Sequence, residues 1–385
     1  MTPTLLTARR LITADTIVKY PRIAIDNDGT IASIEPGEPN AETTTLAPAF
    51  LDIHIHGAAG HDVMEGTRKS LNQIGTFLAT KGVAHYLATT VTAPIDTTLR
   101  SLEGIANAIE AAVHNPEHAQ PVGIHLEGPF ISHAKRGVHP PADIQPPSIP
   151  LFDKFQQAAR GHIRLMTIAP ETPGALDLIR HAAQSGVRIS LGHSDATAAE
   201  TRAAIAAGAV SATHTFNAMR NLAHREPGIS GVVLDARDLY AELICDGIHV
   251  APEFVRLWLR SKGEDRAILV TDGISATGMT DGNYRLGELE VTVSNGRCLL
   301  SSDLAAGKQT LAGSVLTMDR AVANLQAFTG ATLATAVRLA SRNPARMLGL
   351  DSLCTLAPGA PASFNLFSAD GALHQTILHG RVVAR

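Results

Sequence analysis

Two histidines stand one residue apart in an otherwise apolar run near the N-terminus, in the segment APAFLDIHIHGAAGHD. A β-strand sends alternate side chains to opposite faces, so Asp52, His54 and His56 share one face of a strand here. The two imidazoles can therefore bind one common ligand, such as a metal ion. The alternative is that they are two unrelated polar residues at a strand end.

Histidines and carboxylates also end several of the later β-rich runs of the chain. They are His125, Glu127, His193, His214, Asp246, His249 and Asp272. Imidazole and carboxylate both bind Zn²⁺, Fe²⁺ and similar divalent ions, whereas the set contains no cysteine or methionine of the kind that copper and iron–sulfur centres use. The residue types therefore favour one or two divalent ions per subunit, with zinc or iron fitting best.

A divalent ion beside a carboxylate is typical of hydrolysis. The ion lowers the pKa of water from about 15.7 to about 7 and polarises a substrate carbonyl. A carboxylate can then take the water proton and return it to the leaving group, and Asp272, last in AILVTDG, is the candidate. Its alternative role is that of a capping residue after a strand. The chain offers no Gly-x-Ser-x-Gly nucleophile elbow, so hydrolysis by activated water is the predicted reaction type.

Eight β-rich runs alternate with helical stretches from about residue 50 onward. The runs are FLDIHIHG, VAHYLATTVT, PVGIHLEGP, IRLMTIAPE, VRISLGHSD, VSATHTFNA, AELICDGIH and AILVTDG. Eight β/α units predict an α/β protein with a (β/α)8 TIM-like barrel, whose active site lies at the carboxyl ends of the strands. The rival is a doubly wound open sheet, but no Gly-x-Gly-x-x-Gly turn follows the first strand.

The two ends of the chain differ from its middle. Short β runs surround Asp28-Gly29 near the start and Asp370-Gly371 near the end, and both pairs are turn signals. We therefore predict a small β-sandwich domain from residues 1–48 and 350–385, and a barrel domain from residues 49–349. A further β excursion, YRLGELEVTVSNGRCLL, follows the eighth barrel strand.

Composition excludes several classes of partner. The chain has 385 residues, 45% hydrophobic and 18% charged, with a formal net charge of -4, so neither a nucleic acid nor a membrane is expected as a partner. Its three cysteines show no CxxC spacing, which favours packing roles in a reducing compartment. With arginines where a signal peptide needs its apolar core, and no apolar run of about 18 residues, a cytoplasmic location is predicted.

The motifs, in order, resemble the amidohydrolase superfamily over nearly the full length of the chain. They are PAFLDIHIHG, IHLEGPFISHAKRGVHP, LGHSDAT, THTFNAM, REPGISG, CDGIHV, LVTDG and LAGS. Within the superfamily, HLEGP, THTFNAM and REPG are similar to the branch that deacetylates N-acetylglucosamine 6-phosphate. The resemblance implies hydrolysis of that acetamide to glucosamine 6-phosphate and acetate, in amino-sugar catabolism and cell-wall sugar recycling.

The resemblance also implies roles for individual positions. The implied metal ligands are Glu127, His193 and His214, with His54 and His56 adding a second site that shares Glu127 as a bridge, and Asp272 is the implied general base and acid. The implied substrate-binding residues are Val138, His139, Asn217, Ala218, Arg225, His249, Leu311, Ala312 and Gly313. His139 would contact the acetyl group, and Arg225 with His249 would meet the phosphate. A homodimer is implied, in which Arg225 reaches the neighbouring active site.

Three other functions stay open at this point. The galactosamine isomer of the substrate differs at one hydroxyl, and the motifs do not separate the two. A cyclic-amide hydrolase of the same superfamily would carry a carbamylated lysine on the fourth strand, but IRLMTIAPE has no lysine. A catalytically silent sugar-phosphate-binding paralogue would be expected to lose the base, yet Asp272 is in place.

The segment from Gly128 to about Pro150 exceeds the usual barrel connection of about 2–6 residues, which predicts a functional lid. Arg225 has the alternative of a surface ion pair with Glu226. His125 is expected to support the metal ligands rather than to join them, and Asp246 to orient a histidine. His61 and Asp62 receive no role from the sequence.

Overall fold

A ring of parallel strands, each followed by a helix, forms the centre of this computed structural model, which describes residues 4–13, 16–111 and 118–384. The strands are β1 (Thr4–Thr7), β2 (Arg10–Ile12), β3 (Ile17–Lys19), β4 (Pro21–Ile25), β5 (Ile31–Pro36), β6 (Thr45–Pro48), β7 (Phe50–Ile55), β8 (Gly57–Ala58), β9 (His61–Asp62), β10 (Val83–Thr90), β11 (Gln120–Glu127), β12 (Ile163–Ile168), β13 (Arg188–Leu191), β14 (Ala209–Ala212), β15 (Tyr240–Ile244), β16 (Ala267–Val270), β17 (Gly282–Leu286), β18 (Leu289–Ser294), β19 (Arg297–Leu300), β20 (Phe364–Phe367), β21 (Leu373–Leu378) and β22 (Arg381–Val382).

The helices mostly cover the outside of the ring. They are α1 (Arg68–Thr80), α2 (Ile95–Glu110), α3 (Ile149–Ala158), α4 (Ala175–Gln184), α5 (Ala198–Ala207), α6 (Gly228–Asp235), α7 (Pro252–Arg266), α8 (Ser301–Ala305), α9 (Met318–Thr329), α10 (Leu333–Ala340) and α11 (Arg342–Leu348). Short 3-10 turns occupy Val63–Glu65, His133–Lys135 and Asp351–Cys354. Side chains cap several helix starts, as where Thr197 and Glu200 form a capping box before α5.

The eight central strands confirm the predicted barrel. Their order is β7, β10, β11, β12, β13, β14, β15 and β16, with every neighbouring pair parallel. The two end strands then meet, because Asp272 N donates to His54 O at 2.8 Å and His56 N donates to Gly273 O at 2.8 Å. This closure brings the first and last of the polar strand ends together.

Alternation along β7 separates a packing face from a polar face. Leu51, Ile53 and Ile55 are fully buried in the large apolar core between the strands and the helices. Asp52 and His54 are equally buried but take the opposite parity and point into the barrel. The apolar side anchors the strand, which fixes the direction of the imidazoles.

Both ends of the chain contribute to two further sheets. β1, β4 and β5 form a three-stranded sheet, and β3, β2, β6, β20, β21 and β22 form a six-stranded sheet in that order. Apolar residues from both sheets share one core, separate from that of the barrel, which includes Leu11, Ile23, Leu46 and Phe364. The predicted sandwich fold is thereby confirmed, whereas the domain boundaries at residues 48/49 and 349/350 remain a prediction.

The β excursion after the eighth barrel strand folds as the antiparallel sheet β17–β18–β19. Asn295 and Gly296 turn the β18–β19 hairpin, and both have positive φ, as an Asn-Gly hairpin turn requires. Leu286, Val291 and Cys298 form an apolar cluster of their own that also includes Val138 of the long loop after β11. The insertion therefore packs against the loop that follows a site-bearing strand.

Within the described residues, no helix has the length and apolar character needed to cross a membrane.

The three cysteines, Cys245, Cys298 and Cys354, are buried free thiols.

Candidate active site

Glu127, the last residue of β11, lies at the centre of a group of buried histidines. Its Oε1 is 3.3 Å from His54 Nε2, 3.3 Å from His193 Nε2 and 3.1 Å from His214 Nε2. Its other oxygen, Oε2, is 3.1 Å from His56 Nε2. The Glu127 carboxylate thus faces imidazole rings on two sides. A carboxylate predicted to bridge two metal sites must have this arrangement.

His193, His214 and Glu127 form a triangle of ligand atoms. The two Nε2 atoms are 3.1 Å apart, and each lies 3.1–3.3 Å from Glu127 Oε1. Ligands at the Zn–N distance of about 2.0–2.1 Å in tetrahedral geometry lie about 3.3 Å from one another. The spacing of these three atoms therefore fits a single divalent ion.

His54, His56 and Asp272 face the other side of Glu127. Asp272 Oδ1 is 3.5 Å from His54 Nε2 and 3.3 Å from His56 Nε2. His54 Nε2 is buried and has no hydrogen-bond partner in the described structure. A polar nitrogen left in that state beside two carboxylates is explained by a cation between them. These residues therefore fit a second ion.

Electrostatic pairing within the group shifts its pKa values strongly. Burial opposes protonation of His56, but Asp272 and Glu127 outweigh burial and raise the pKa of His56 to about 9. Burial favours the neutral form of Asp272, but His54 and His56 outweigh it and lower the pKa of Asp272 to about 2. Burial likewise favours the neutral form of Glu127, but the nearby histidines, His54 foremost, outweigh it and hold the pKa of Glu127 well below its usual range. Protons on the rings therefore compete with metal ions.

Three of the site residues adopt left-handed backbone conformations directly after their strands. φ is 47° at His193, 29° at His214 and 51° at Asp272. Such conformations cost a residue other than glycine about 1–2 kcal/mol each. The barrel accepts this strain and thereby turns the three side chains back over the strand ends, toward Glu127.

His139 reaches the same centre from the long loop after β11. The backbone N–H of Thr92 donates to His139 Nδ1 at 3.3 Å, and Thr92 Oγ1 lies 2.7 Å from that nitrogen. With Nδ1 accepting, the ring proton is on Nε2, which lies 3.8 Å from Glu127 Oε2. Burial, followed by nearby His193, holds the pKa of His139 well below its usual range.

The position of His139 allows two interpretations. Ligand atoms of Glu127, His139 and His193 lie within 4.8 Å of one another, as do those of His54, His56 and Glu127, so His139 is close enough to bind a metal. Its Nε2–H, however, offers a donor rather than a lone pair. The tautomer favours contact with a substrate oxygen over metal ligation.

A cavity of about 330 Å³ opens above these residues. The predicted residues that line it are His56, Glu127, Val138, His139, His193, His214, Asn217, Ala218, His249, Asp272, Leu311 and Gly313. Three predicted residues do not: His54 lies behind the lining, Ala312 is buried in the apolar cluster of the insertion, and Arg225 is exposed outside the cavity.

Gly313 illustrates how closely the cavity wall is packed. Its φ is 59°, and a Cβ there would meet Ile274 Cγ2 and lie 3.0 Å from Asp272 O. Only glycine fits both the conformation and the space, so the segment can approach the strand that carries Asp272.

Three residues that contact the ligand group or line the cavity were not predicted from the sequence. Glu242 lies within the barrel, with Oε2 3.3 Å from His54 Nδ1, and its even spacing from Asp246 along the seventh β run was an available signal. Lys135 and Leu286 line the cavity. A lysine in a polar loop gives no signal of such a role in the sequence, and the contact of Leu286 depends on how the insertion folds back.

Several residues to which the sequence assigns no clear role have structural contacts. Asp62 caps the turn at Val63–Glu65 and accepts from Gly287 N at 2.8 Å, which joins the first βα loop to the insertion. His61 Nδ1 lies 3.3 Å from Glu65 Oε1. Asp246 accepts from His249 Nδ1 at 2.7 Å and so orients a histidine of the cavity wall, which is not one of the proposed metal ligands.

His125 does not join the proposed metal ligands, and its supporting role stays a prediction. It is fully buried, and its two ring nitrogens lie 3.2 Å from Ile53 O and 2.8 Å from Thr167 Oγ1. Both nitrogens are occupied within the barrel, so neither faces Glu127.

Comparison with known proteins shows the family to which this chain belongs. The model of the amidohydrolase family matches residues 45–383. An N-acetylgalactosamine-6-phosphate deacetylase of Escherichia coli O157:H7 is 39% identical over 96% of both chains. An N-acetylglucosamine-6-phosphate deacetylase of Vibrio furnissii is 36% identical over 94% of this chain and 90% of its own.

A solved structure is similar over the whole chain. It is a point variant of the N-acetyl-D-glucosamine-6-phosphate deacetylase of Mycobacterium smegmatis in complex with N-acetyl-D-glucosamine-6-phosphate. The TM-score is 0.93 at 34% sequence identity, with 100% of each chain covered. The similarity therefore extends to both the barrel and the sandwich.

Proposed function

The chain belongs to the amidohydrolase family, and on that premise we propose that it hydrolyses the acetamide of N-acetyl-D-glucosamine 6-phosphate, giving D-glucosamine 6-phosphate and acetate. The observation that carries the proposal is the convergence of Glu127, His193 and His214 beside Asp272 in one cavity. A sugar phosphate is the substrate of the relatives named above, and the cavity volume lies within the range of small-molecule sites.

Two groups of residues would hold the metal. Glu127, His193 and His214 would bind the first ion, while His54, His56 and Asp272 would add a second that shares Glu127. A divalent ion bound there would supply Lewis acidity and lower the pKa of water from about 15.7 to about 7. Zinc or iron suits this imidazole and carboxylate set.

Asp272 would carry the proton between water and the leaving amine. Its low pKa keeps it ionised at neutral pH, as a proton acceptor must be. Its backbone is fixed by the hydrogen bond to His54 O, so the carboxylate is held at the floor of the cavity. The carboxyl group formed when it accepts the proton can donate to the amide nitrogen as the C–N bond breaks.

His139 would meet the acetyl carbonyl oxygen. Thr92 fixes the tautomer in which Nε2 carries the proton, and a donor at that position stabilises charge developing on the oxygen. The ring is neutral because its pKa is held low, so it is a hydrogen-bond donor that does not repel the metal ions.

The rest of the cavity would bind the sugar phosphate. Asn217 and Ala218 with Val138 on the facing loop would hold the sugar, and Leu311 and Gly313 would close over it. Ala312 between them would act indirectly, because its burial in the apolar cluster of the insertion holds this segment in place. His249 would meet the phosphate, because Asp246 holds Nδ1 and leaves Nε2 for the cavity.

Arg225 would complete the phosphate site across a homodimer. It lies in an exposed loop with Leu222, and within the described structure it has no ion-pair partner. Leu222 and Phe254 are 47% and 45% exposed, and both line a second cavity that reaches His249. An exposed apolar patch next to the phosphate end of the site supports a partner surface there.

The galactosamine isomer is the second candidate substrate. It is favoured by the 39% identity to an N-acetylgalactosamine-6-phosphate deacetylase over 96% of both chains. A role in amino-sugar catabolism and cell-wall sugar recycling is consistent with either isomer. The cytoplasmic location remains a prediction from the sequence.

Acetate release tests the proposed reaction. Purified protein with added Zn²⁺ or Fe²⁺ should release acetate from N-acetylglucosamine 6-phosphate far faster than from N-acetylglucosamine, while a parallel assay of the galactosamine phosphate ranks the two isomers. Asp272→Asn should lower kcat by about 10²–10⁴-fold while still binding the substrate. Substrate binding without turnover in the metal-loaded parent protein would instead identify a silent paralogue.

Subunit complementation tests the predicted dimer. Arg225→Ala should raise KM for the phosphorylated sugar with little change in metal content. If Arg225 acts on the neighbouring site, mixing Arg225→Ala with Asp272→Asn chains under conditions of exchange should restore activity, because one site of the mixed dimer regains both residues. No gain on mixing would place Arg225 in its own subunit's site or outside any site.

A further inference from the structure

Glu242 is a buried carboxylic residue that the proposed mechanism does not use. It lies on β15, is 0% exposed, and faces the barrel interior beneath the metal-binding histidines. No lysine or arginine pairs with it within the described structure. Burial of such a group without compensation costs several kcal/mol, so its contacts must justify its position.

Its contacts lead to the candidate metal centre. Glu242 Oε2 lies 3.3 Å from His54 Nδ1 and accepts from His214 N at 3.3 Å. Its backbone oxygen accepts from Thr215 N at 2.8 Å, which fixes the strand against the turn that carries His214. One side chain therefore touches a ligand of each of the two proposed ions.

The orientation of His54 depends on this contact. In the neutral ring that metal binding requires, donating Nδ1–H to Glu242 leaves the Nε2 lone pair facing Glu127 Oε1 at 3.3 Å and Asp272 Oδ1 at 3.5 Å. In the opposite tautomer, Nδ1 and Glu242 would both present lone pairs to each other. A carboxylate behind a metal-binding histidine fixes the tautomer and strengthens the ligand.

The other ligand rings have weaker supports. His56 Nδ1 faces Thr89 O at 3.1 Å, and His193 Nδ1 faces Lys135 O at 3.0 Å, so both rest on backbone carbonyls. His214 Nδ1 is buried and has no hydrogen-bond partner among the described residues. Among the ligand rings in the described structure, His54 alone is held from behind by a carboxylate.

We propose that Glu242 is a positioning residue for the second metal ion: it holds His54 with Nε2 directed at Glu127 and Asp272, and so sets how tightly that ion binds. The proposal rests on the two-ion centre of the proposed function. It predicts that the residue at position 242 governs metal stoichiometry without touching either ion.

Metal titration of chelator-treated protein tests the role directly. The parent protein should bind two Zn²⁺ per chain, and Glu242→Leu should bind the second ion about 10–100-fold more weakly with the first little changed. Glu242→Gln keeps an oxygen acceptor for Nδ1–H and should restore most of the affinity. Ser211→Ala is the matched control, because this serine lies on neighbouring β14, is equally buried, and its Oγ has no hydrogen-bond partner within the described residues.

A double variant separates positioning from a structural role. If Glu242 acts through His54, adding Glu242→Leu to His54→Gln should cause no further loss of Zn²⁺ affinity. Additive loss, equal weakening of both ions, unchanged binding in Glu242→Leu, or a parent chain that holds one ion would each overturn the proposal. Since binding is measured without substrate, an absence of acetate release would reject the proposed reaction and leave this result intact.

Discussion

Glu127 organises the site at the scale of single residues. Its two oxygens lie 3.1–3.3 Å from four imidazole nitrogens, so every proposed metal position includes this carboxylate. Loss of Glu127 would therefore affect both ions, whereas the pair His54 and His56 belongs to one of them. Substitutions can therefore distinguish the two proposed metal positions.

His54→Gln combined with His56→Asn should lower metal content from two ions toward one per chain and leave part of the activity. The reason is that Glu127, His193 and His214 retain their triangle of ligand atoms. Metal analysis of protein purified without chelators, with acetate release on the same sample, measures both effects. Loss of both ions would show that the pair anchors the primary site.

The metal-free protein should lose stability as the pH rises from about 6.5 to about 9. Folding raises the pKa of His56 from its usual 6.5 to about 9, so its contribution is complete below 6.5 and disappears as the pH passes 9. The unfolding temperature of chelator-treated protein should fall over this interval. His56→Gln should flatten the slope, and a slope that persists unchanged would assign the effect to other groups.

At the scale of elements, the insertion β17–β19 forms part of the cavity wall. Leu286 lines the cavity, and the cluster around Val291 packs on Val138 of the long loop after β11. That loop also carries His139, and Ser132 N donates to His193 O at 2.9 Å. The cavity wall is thus built in part by two loops, the long loop after β11 and the insertion, which pack on each other above the strand ends.

Asp62→Ala should loosen the insertion and raise KM. The carboxylate accepts from Gly287 N at 2.8 Å and from Met64 N at 2.7 Å, and each of these part-buried hydrogen bonds contributes about 0.5–1.5 kcal/mol. Hydrogen exchange should quicken in residues 282–300 more than in the barrel strands. Asp281→Ala, which removes an exposed contact with Asn295 N at the far end of the insertion, should leave KM unchanged.

At the scale of the whole molecule, the sandwich and the barrel share a buried junction. Asn365 of β20 is 0% exposed and donates from Nδ2 to Gly82 O at 2.9 Å, in the turn between α1 and β10. The same oxygen accepts from Phe50 N at 2.8 Å, at the start of the first barrel strand. The terminal sheets are thereby fixed to the strand that leads to His54.

Asn365→Asp should destabilise the protein without altering the site. The change replaces a buried donor with a carboxylate facing Gly82 O, and we expect a loss of about 2–5 kcal/mol in the free energy of unfolding at pH 8. Urea unfolding gives this value, while kcat/KM of the folded protein should match the parent. Asn365→Leu, which adds no charge, should cost less, and equal losses would argue against the electrostatic reason.

The eight-stranded barrel, the β excursion and the sandwich of the chain ends could all be predicted from the amino-acid sequence. The reason is that hydrophobic periodicity and turn-forming residues are local properties of the sequence. The alternation along β7 predicts that His54 and His56 share one face. The sequence also places Glu127, His193, His214 and Asp272 at strand ends, and a barrel brings these ends together at one mouth.

Which of these polar residues meet could not be predicted from the sequence. His125 shares strand parity with Glu127 yet turns to Thr167, and Arg225 lies outside the cavity of its own chain. Glu242 contacts His54 across 188 positions of sequence. Such contacts depend on barrel closure and on backbone turns at single residues, and neither leaves a periodic signal in the chain.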